Sequence, residues 1–260
     1  MASILITGLV GWIAGGLVNY LANTLPRWRK LVHPVCIVCG SNMSWLNTIL
    51  WFDICSTCES RENPRHLWRA RITQVVFSGA AIWLWQSPPP RLGFWAGLLL
   101  LIYFGVVIVI DLEHRLILHP VSLAGAGLGL LLGIWINGPR DTLFGGLAGF
   151  GTMFGLYLLG FLFTRLASSL SGKKIDEEAL GFGDVVLSGV LGLLLGWPVI
   201  VAGLLIAILL GGLAGLLFII SHLVRRRSLS FEALPYGPFL VASAVFLLYF
   251  PSVFLKLFDH

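Results

Sequence analysis

The chain has 260 residues, 57% hydrophobic and 11% charged, with a mean hydropathy of +0.91 and a formal net charge of +5. A soluble domain carries about 25% charged residues, so this composition excludes a soluble globular protein and predicts an all-α, polytopic membrane helix bundle. The basic residues lie in short loops between apolar runs, which excludes nucleic acid as their partner and leaves the lipid bilayer.

A spanning helix needs about 20 apolar residues. Eight runs meet or approach that length: residues 3–22, 72–87, 92–111, 120–137, 142–166, 180–197, 198–221 and 237–256. No positive segment precedes the first, so it reads as a retained helix rather than a cleaved signal. The sixth and seventh read as a hairpin turning at Gly196-Trp197-Pro198. With eight spans the loops alternate sides, and the Lys/Arg count divides sharply. Arg27, Arg29, Lys30, Arg61, Arg65, Arg69, Arg71, Arg115, Arg165, Lys173, Lys174 and Arg225 to Arg227 fall on one side, 14 in all, against Arg91, Arg140 and Lys256, which make 3. The positive-inside rule places the first set in the cytosol and both termini outside. Glycines recur at four-residue spacing, as in Gly11/Gly15, Gly125/Gly129/Gly133, Gly145/Gly149, Gly151/Gly155, Gly192/Gly196 and Gly211/Gly215. Small residues so spaced let helix backbones approach closely. They serve packing within one chain as well as association, so they fix no oligomeric state.

Three segments follow: the first helix (1–22), a hydrophilic loop (23–71) and a seven-helix core (72–260). The loop holds all four cysteines, as Cys36-Ile-Val-Cys39 and Cys55-Ser-Thr-Cys58. Two such knuckles 15 residues apart read as a tetrahedral Zn2+ site. Gly40 suits the turn after the first knuckle. Two disulfides are the alternative, disfavoured on the reducing cytosolic side. Four sulfur ligands leave no open position, so the metal is structural. His33 and His66 lie near the knuckles, where either could serve as a ligand, although a loop histidine is more often simply solvated. Arg27, Arg29, Arg69 and Arg71 read as partners of lipid headgroups.

The third run ends at Asp111, and the sixth carries Asp184 one turn from its start, within Gly181-Phe182-Gly183-Asp184. A carboxylate at hydrocarbon depth is costly and marks a functional site by default. The topology rests on Lys/Arg and hydropathy alone, yet it puts both aspartates at the cytosolic edge. Two facing carboxylates suit aspartyl hydrolysis: one ionised to take a proton from water, one protonated to polarise a peptide carbonyl. Gly181 and Gly183 let the backbone near Asp184 approach a substrate strand or a neighbouring helix. The bland alternative is that edge aspartates simply face water. Asp111 is open to it, with Glu113, His114 and Arg115 following at once.

These residues resemble the type IV prepilin peptidase family along nearly the whole chain. The resemblance is carried by Gly15 to Arg27 (GGLVNYLANTLPR), the paired knuckles, Asp111 to Ile117 (DLEHRLI), Glu178 to Leu187 (EALGFGDVVL) and Pro235 to Leu240 (PYGPFL), in that order. It implies an inner-membrane aspartyl endopeptidase of the GxGD type, with Asp111 and Asp184 catalytic. Such enzymes cut the basic leader of type IV prepilins and pseudopilins after a glycine, at the cytosolic face. Many members also methylate the new N-terminus through the cysteine loop, which implies S-adenosylmethionine beside Zn2+. The chain departs from the family pattern at Val186, where many members carry Lys. It departs again in a shorter inter-knuckle loop and at Asn63-Pro64-Arg65-His66. Glu113, Asp176, Glu177 and Glu178 are the acids suited to attract a basic leader.

Two readings from other classes compete. An ion- or proton-coupled transporter would use the aspartates for transport, although coupling carboxylates tend to lie near the midplane. An inactive assembly scaffold would use the zinc loop to dock a partner.

Overall fold

The computed structural model describes residues 2–36, 39–50, 64–171, 181–224 and 235–251. Among these the chain is all-helical apart from one isolated antiparallel bridge between Val35 and Asn42. The helices are α1 (Ala2–Trp28), α2 (Trp45–Leu50), α3 (Pro64–Gln86), α4 (Gly93–His114), α5 (His119–Asn137), α6 (Pro139–Ser171), α7 (Phe182–Leu195), α8 (Val199–Val224) and α9 (Gly237–Tyr249). Eight follow the eight apolar runs in order, and α2 is a short helix within the cysteine loop. Helices α1, α4, α5, α6 and α8 are long and apolar enough to cross a membrane, while α7 and α9 are apolar but shorter. The chain divides into two compact units, residues 1–110 and 111–260, so α4 runs across the division.

In the first unit α1 packs on α3 through the predicted small-residue face. A Cβ on Gly11 would fall on the Phe77 carbonyl, and one on Gly15 would lie 2.7 Å from Gln74 Cα. Any larger residue would force the helices apart. Helix α1 continues beyond the apolar run, through Pro26 to Trp28. Polar side chains tie that extension down. Asn19 Nδ2 donates to the Ala70 carbonyl at 3.1 Å, Tyr20 Oη donates to the Val32 carbonyl, and Asn23 Oδ1 accepts from Arg69 Nη2 at 2.6 Å. Arg69, expected among the headgroups, thus turns toward α1. Hydropathy averages over such single polar contacts and does not register them.

In the second unit α7 is the enclosed helix, with ten of its 14 residues buried. Its neighbours α5 and α6 form a tight hairpin. Gly138 takes a left-handed φ of 82° and Pro139 follows at the first helical position, the stop and start that these residue types favour. Gly133 meets the Leu193 carbonyl, Gly149 meets the Ser188 carbonyl, and Gly145 meets Gly192 backbone to backbone. Ser188 Oγ donates to the Gly149 carbonyl at 3.1 Å. The turn into α8 falls at Gly196-Trp197-Pro198, as expected, with Gly196 at φ 72°. Asn137 Nδ2 secures it by donating to the Leu194 carbonyl at 3.0 Å. Gly151, Gly155 and Gly215 share the four-residue spacing but meet nothing within 4 Å among the described residues. The outer faces of α5, α6 and α8 expose Leu123, Leu131, Leu147, Phe163 and Leu209, a surface suited to lipid tails.

Candidate active site

Asp111 occupies the last turn of α4 and is 5% exposed; Asp184 occupies the first turn of α7 and is 9% exposed. Both belong to the second unit. Buried carboxyl groups are ordinarily paired or heavily hydrogen-bonded. Among the described residues a backbone amide faces each of them, that of Gly237 for Asp111 and that of Gly181 for Asp184. The charge of Asp111 acts on Asp184, so the two lie within electrostatic reach.

The local chain explains each position. Gly181 is the extended N-cap residue of α7 (φ −74°, ψ 140°), and its amide faces the Asp184 carboxyl group. The first turn of a helix leaves amides pointing outward, where they stabilise negative charge. Gly183, on the same turn, lies against Ile117 in the connection from α4 to α5. A Cβ at Gly183 would stand 2.8 Å from Ile117 Cβ. The chain turns out of α4 at Arg115, whose φ is 52° and whose amide donates to the Asp111 carbonyl at 2.8 Å.

Asp111 meets the start of α9. The Gly237 amide faces its carboxyl group, and a Cβ on Gly237 would lie 2.5 Å from Oδ2. That oxygen is buried and has no hydrogen-bond partner among the described residues. Tyr236, immediately before α9, lays its ring on Gly211 of α8, where a Cβ would stand 2.9 Å from Tyr236 Cε2. Burial and the charge of Asp184 push the Tyr236 phenol up to about 12. Four chain segments therefore converge: the end of α4, the connection at Ile117, the start of α7 and the start of α9.

Of the residues expected from sequence, Asp111, Asp184, Gly181 and Gly183 come together here. Ile117, Tyr236 and Gly237 join them without having been assigned a role. The PYGP element was legible as a motif, but nothing in it points to a residue 126 positions earlier. Val186 is half-buried one turn into α7.

The expected metal ligands divide differently. Cys36 and Cys39 lie in the first unit, and Cys55 and Cys58 lie outside the described residues. The first knuckle closes as a tight turn. The Gly40 amide donates to the Cys36 carbonyl at 2.9 Å, the Cys36 amide donates to the Ser41 carbonyl at 2.8 Å, and Gly40 takes φ 72°. Cys39 Sγ lies 3.0 Å from Ser41 Oγ. A turn presenting two thiols with a left-handed Gly behind them fits one half of a tetrahedral zinc site. His33 Nε2 accepts from Trp45 Nε1 at 3.1 Å, which occupies that ring nitrogen. The side chains of Asp176, Glu177 and Glu178 lie outside the described residues.

Comparison with known proteins bears on the same residues. Residues 98–216 match the type IV leader peptidase family, a span that contains both aspartates. The chain is 31% identical over 274 residues to a prepilin leader peptidase/N-methyltransferase of Pectobacterium carotovorum subsp. carotovorum, covering 92% of this chain and 90% of that protein. It is 26% identical over 280 residues to the protein of the same name from Pseudomonas aeruginosa, covering 92% of this chain and 88% of that one. A third such protein, from Aeromonas salmonicida, is 28% identical over 225 residues. No solved structure matches the chain.

Proposed function

The chain belongs to the type IV leader peptidase family and is a peptidase, and from that premise we propose that it cuts the leader from type IV prepilins or pseudopilins using Asp111 and Asp184. The observation that supports this pairing is the burial of two carboxyl groups within each other's field, without a cation between them in any described contact. Two close carboxylates hold one proton between them. The ionised member takes a proton from water as the water oxygen attacks the scissile carbonyl carbon. The protonated member donates to the carbonyl oxygen, and a proton then passes to the leaving amine as the C–N bond breaks. Either carboxyl group can fill either role in one turnover.

Cleavage is at the cytosolic face of the inner membrane, after a glycine, with eight spans and both termini outside. The 14 to 3 division of Lys and Arg supports that orientation. Gly181 and Gly183 support the motif around Asp184. Cys36, Cys39, Cys55 and Cys58 hold a structural Zn2+ that folds the loop 23–71. The relatives are named for N-methyl transfer as well. For this chain the methyl donor is S-adenosylmethionine, whose sulfonium supplies an electrophilic methyl group.

The test is cleavage of a co-expressed prepilin by Asp111→Asn and Asp184→Asn variants. Each is expected to lose about 100-fold or more, the contribution of a positioned acid or base. Full processing by either purified variant would overturn its assignment.

A further inference from the structure

We propose that Phe182 and Tyr157 form a specificity subsite at the start of α7, where the Phe182 ring holds an apolar side chain of the substrate and the Tyr157 hydroxyl bonds the substrate main chain beside it. This rests on the peptidase reading above and gives roles to residues which that reading leaves unused. Phe182 opens α7 and stands between the two glycines of the motif. It is 48% exposed, and Gly181 beside it is exposed as well, whereas Asp184 is buried. The Gly181 amide faces the Asp184 carboxyl group, so that group reaches back to the start of the helix. A peptide bond brought to it therefore crosses the exposed end of α7. Asp184 and Phe182 are two residues apart and point to different sides of the helix. A helix with its side chains is about 10 Å across, and an extended chain advances about 3.3 Å per residue. A strand lying over the helix end thus reaches Phe182 about three residues from the bond held at Asp184.

The Phe182 ring is held from α6. It meets Tyr157 edge-on, with ring centroids 6.0 Å apart and planes at 73°. Tyr157 stacks on Phe154 at 6.4 Å, and Phe154 stacks on Phe150 at 5.7 Å. Edge-to-face and stacked rings are favoured aromatic arrangements. The close glycine contacts between α6 and α7 keep the two ends of this ladder in register. A phenylalanine that faces lipid alone gains little from a fixed ring. A subsite does gain, because a preorganised ring loses less freedom on binding. Tyr157 supplies the second observation. It is the one polar side chain between Met153 and Phe163. A hydroxyl in an apolar run is costly without a partner. Thr164, further along α6, donates its hydroxyl to the Gly160 carbonyl of its own helix. A tyrosine ring carries its hydroxyl away from its own backbone, and no described residue bonds Tyr157 Oη. Half-buried beside Phe182, Tyr157 has a hydroxyl to donate to a main-chain carbonyl of the substrate.

The test measures kcat and KM separately for the purified full-length protein in proteoliposomes. The substrates are a prepilin and a panel of its variants, each with alanine at one position within four residues of the cut. Phe182→Ala is expected to lower kcat/KM about tenfold or more on the unaltered prepilin, through KM, as the loss of one apolar contact does. Alanine at one panel position, two to four residues from the cut, is expected to weaken cleavage by the wild-type protein to the same degree. On that substrate Phe182→Ala should cost less than twofold more, because the two changes remove one contact. Tyr157→Phe keeps the ring ladder and is expected to raise KM about fivefold, the worth of one hydrogen bond. Melting temperatures of both variants separate lost recognition from lost folding. An unchanged KM in Phe182→Ala, a loss of equal size on every substrate of the panel, or a loss confined to kcat would overturn the subsite and leave Phe182 to lipid or to packing on α6. Cleavage by the wild-type protein and its loss in Asp184→Asn decide the peptidase reading separately. With both in hand, the comparison across the panel decides the subsite alone.

Discussion

Gly237 lies directly on the carboxyl group of Asp111: a Cβ added there would stand 2.5 Å from Oδ2 and 3.1 Å from Cγ. Gly237 is also the first residue of α9, where alanine is a better helix former. The two effects separate cleanly. Gly237→Ala is expected to leave folding intact while displacing the Asp111 carboxyl group, and a misplacement on the order of 1 Å costs up to about 100-fold in rate. The measurement is prepilin cleavage rate beside the melting temperature. An unchanged rate would show that Asp111 acts from another position or does not act.

The GxGD motif treats its two glycines alike, and the structure does not. Gly181 has φ −74°, and its Cβ would reach Asp184 Oδ2 at 3.5 Å, an ordinary contact. Gly183 has no such room, with Ile117 Cβ at 2.8 Å and Cγ1 at 3.2 Å. Gly181→Ala should therefore retain near-normal cleavage. Gly183→Ala should push the Ile117 connection away from α7 and lose activity, with an overpacking cost of about 1–3 kcal/mol in stability. Equal losses from both substitutions would mean that Gly181 serves substrate approach rather than local packing.

This contrast marks what hydropathy and motif spacing can carry. The eight apolar runs became eight helices because burial of apolar side chains is summed over many residues, and the hairpin turn at Gly196 has a local signature. The extension of α1 to Trp28 rests on single contacts such as Arg69 with Asn23, which no average registers. Gly145 and Gly151 occupy similar positions in similar spacing, yet one touches Gly192 and the other touches none of the described residues. Only the partner helix distinguishes them. For the candidate site, Asp111 and Asp184 were legible because a charge on an apolar run stands out. Ile117 and Gly237 were not, since an isoleucine and a glycine in such a chain carry no signal until the fold brings them to the aspartates.

A carboxyl pair that works with one proton loses activity when both members are protonated and when both are ionised, so cleavage should trace a bell against pH. Tyr236 is a further titratable group at the site. Its phenol is pushed up to about 12 by burial and by the charge of Asp184. Raising the pKa of a neutral acid keeps it protonated to higher pH, so Tyr236 stays uncharged across any practical assay range. Tyr236→Phe keeps the ring on Gly211 and is expected to keep most of the activity, with both limbs of the bell unmoved. An alkaline limb that shifts or vanishes in this variant would assign that limb to the tyrosine.

The first knuckle offers a substitution that isolates the backbone. Gly40 holds φ 72°, and a Cβ there would meet nothing within 4 Å among the described residues. Gly40→Ala therefore clashes with none of them and adds the cost of a left-handed conformation for an L-residue, about 1–2 kcal/mol. If the turn presents Cys36 and Cys39 to a Zn2+ shared with Cys55 and Cys58, that strain appears as weaker metal binding, about tenfold for each 1.4 kcal/mol. Chelator competition on the purified protein reads it directly. Because a four-sulfur site has no open position, prepilin cleavage should be affected far less than metal affinity. The purified protein should carry one zinc per chain, and Cys36→Ser should lose it. Full zinc retention in Cys36→Ser would remove Cys36 from the ligand set. Metal binding unchanged in Gly40→Ala would show that the knuckle rearranges to accommodate the metal.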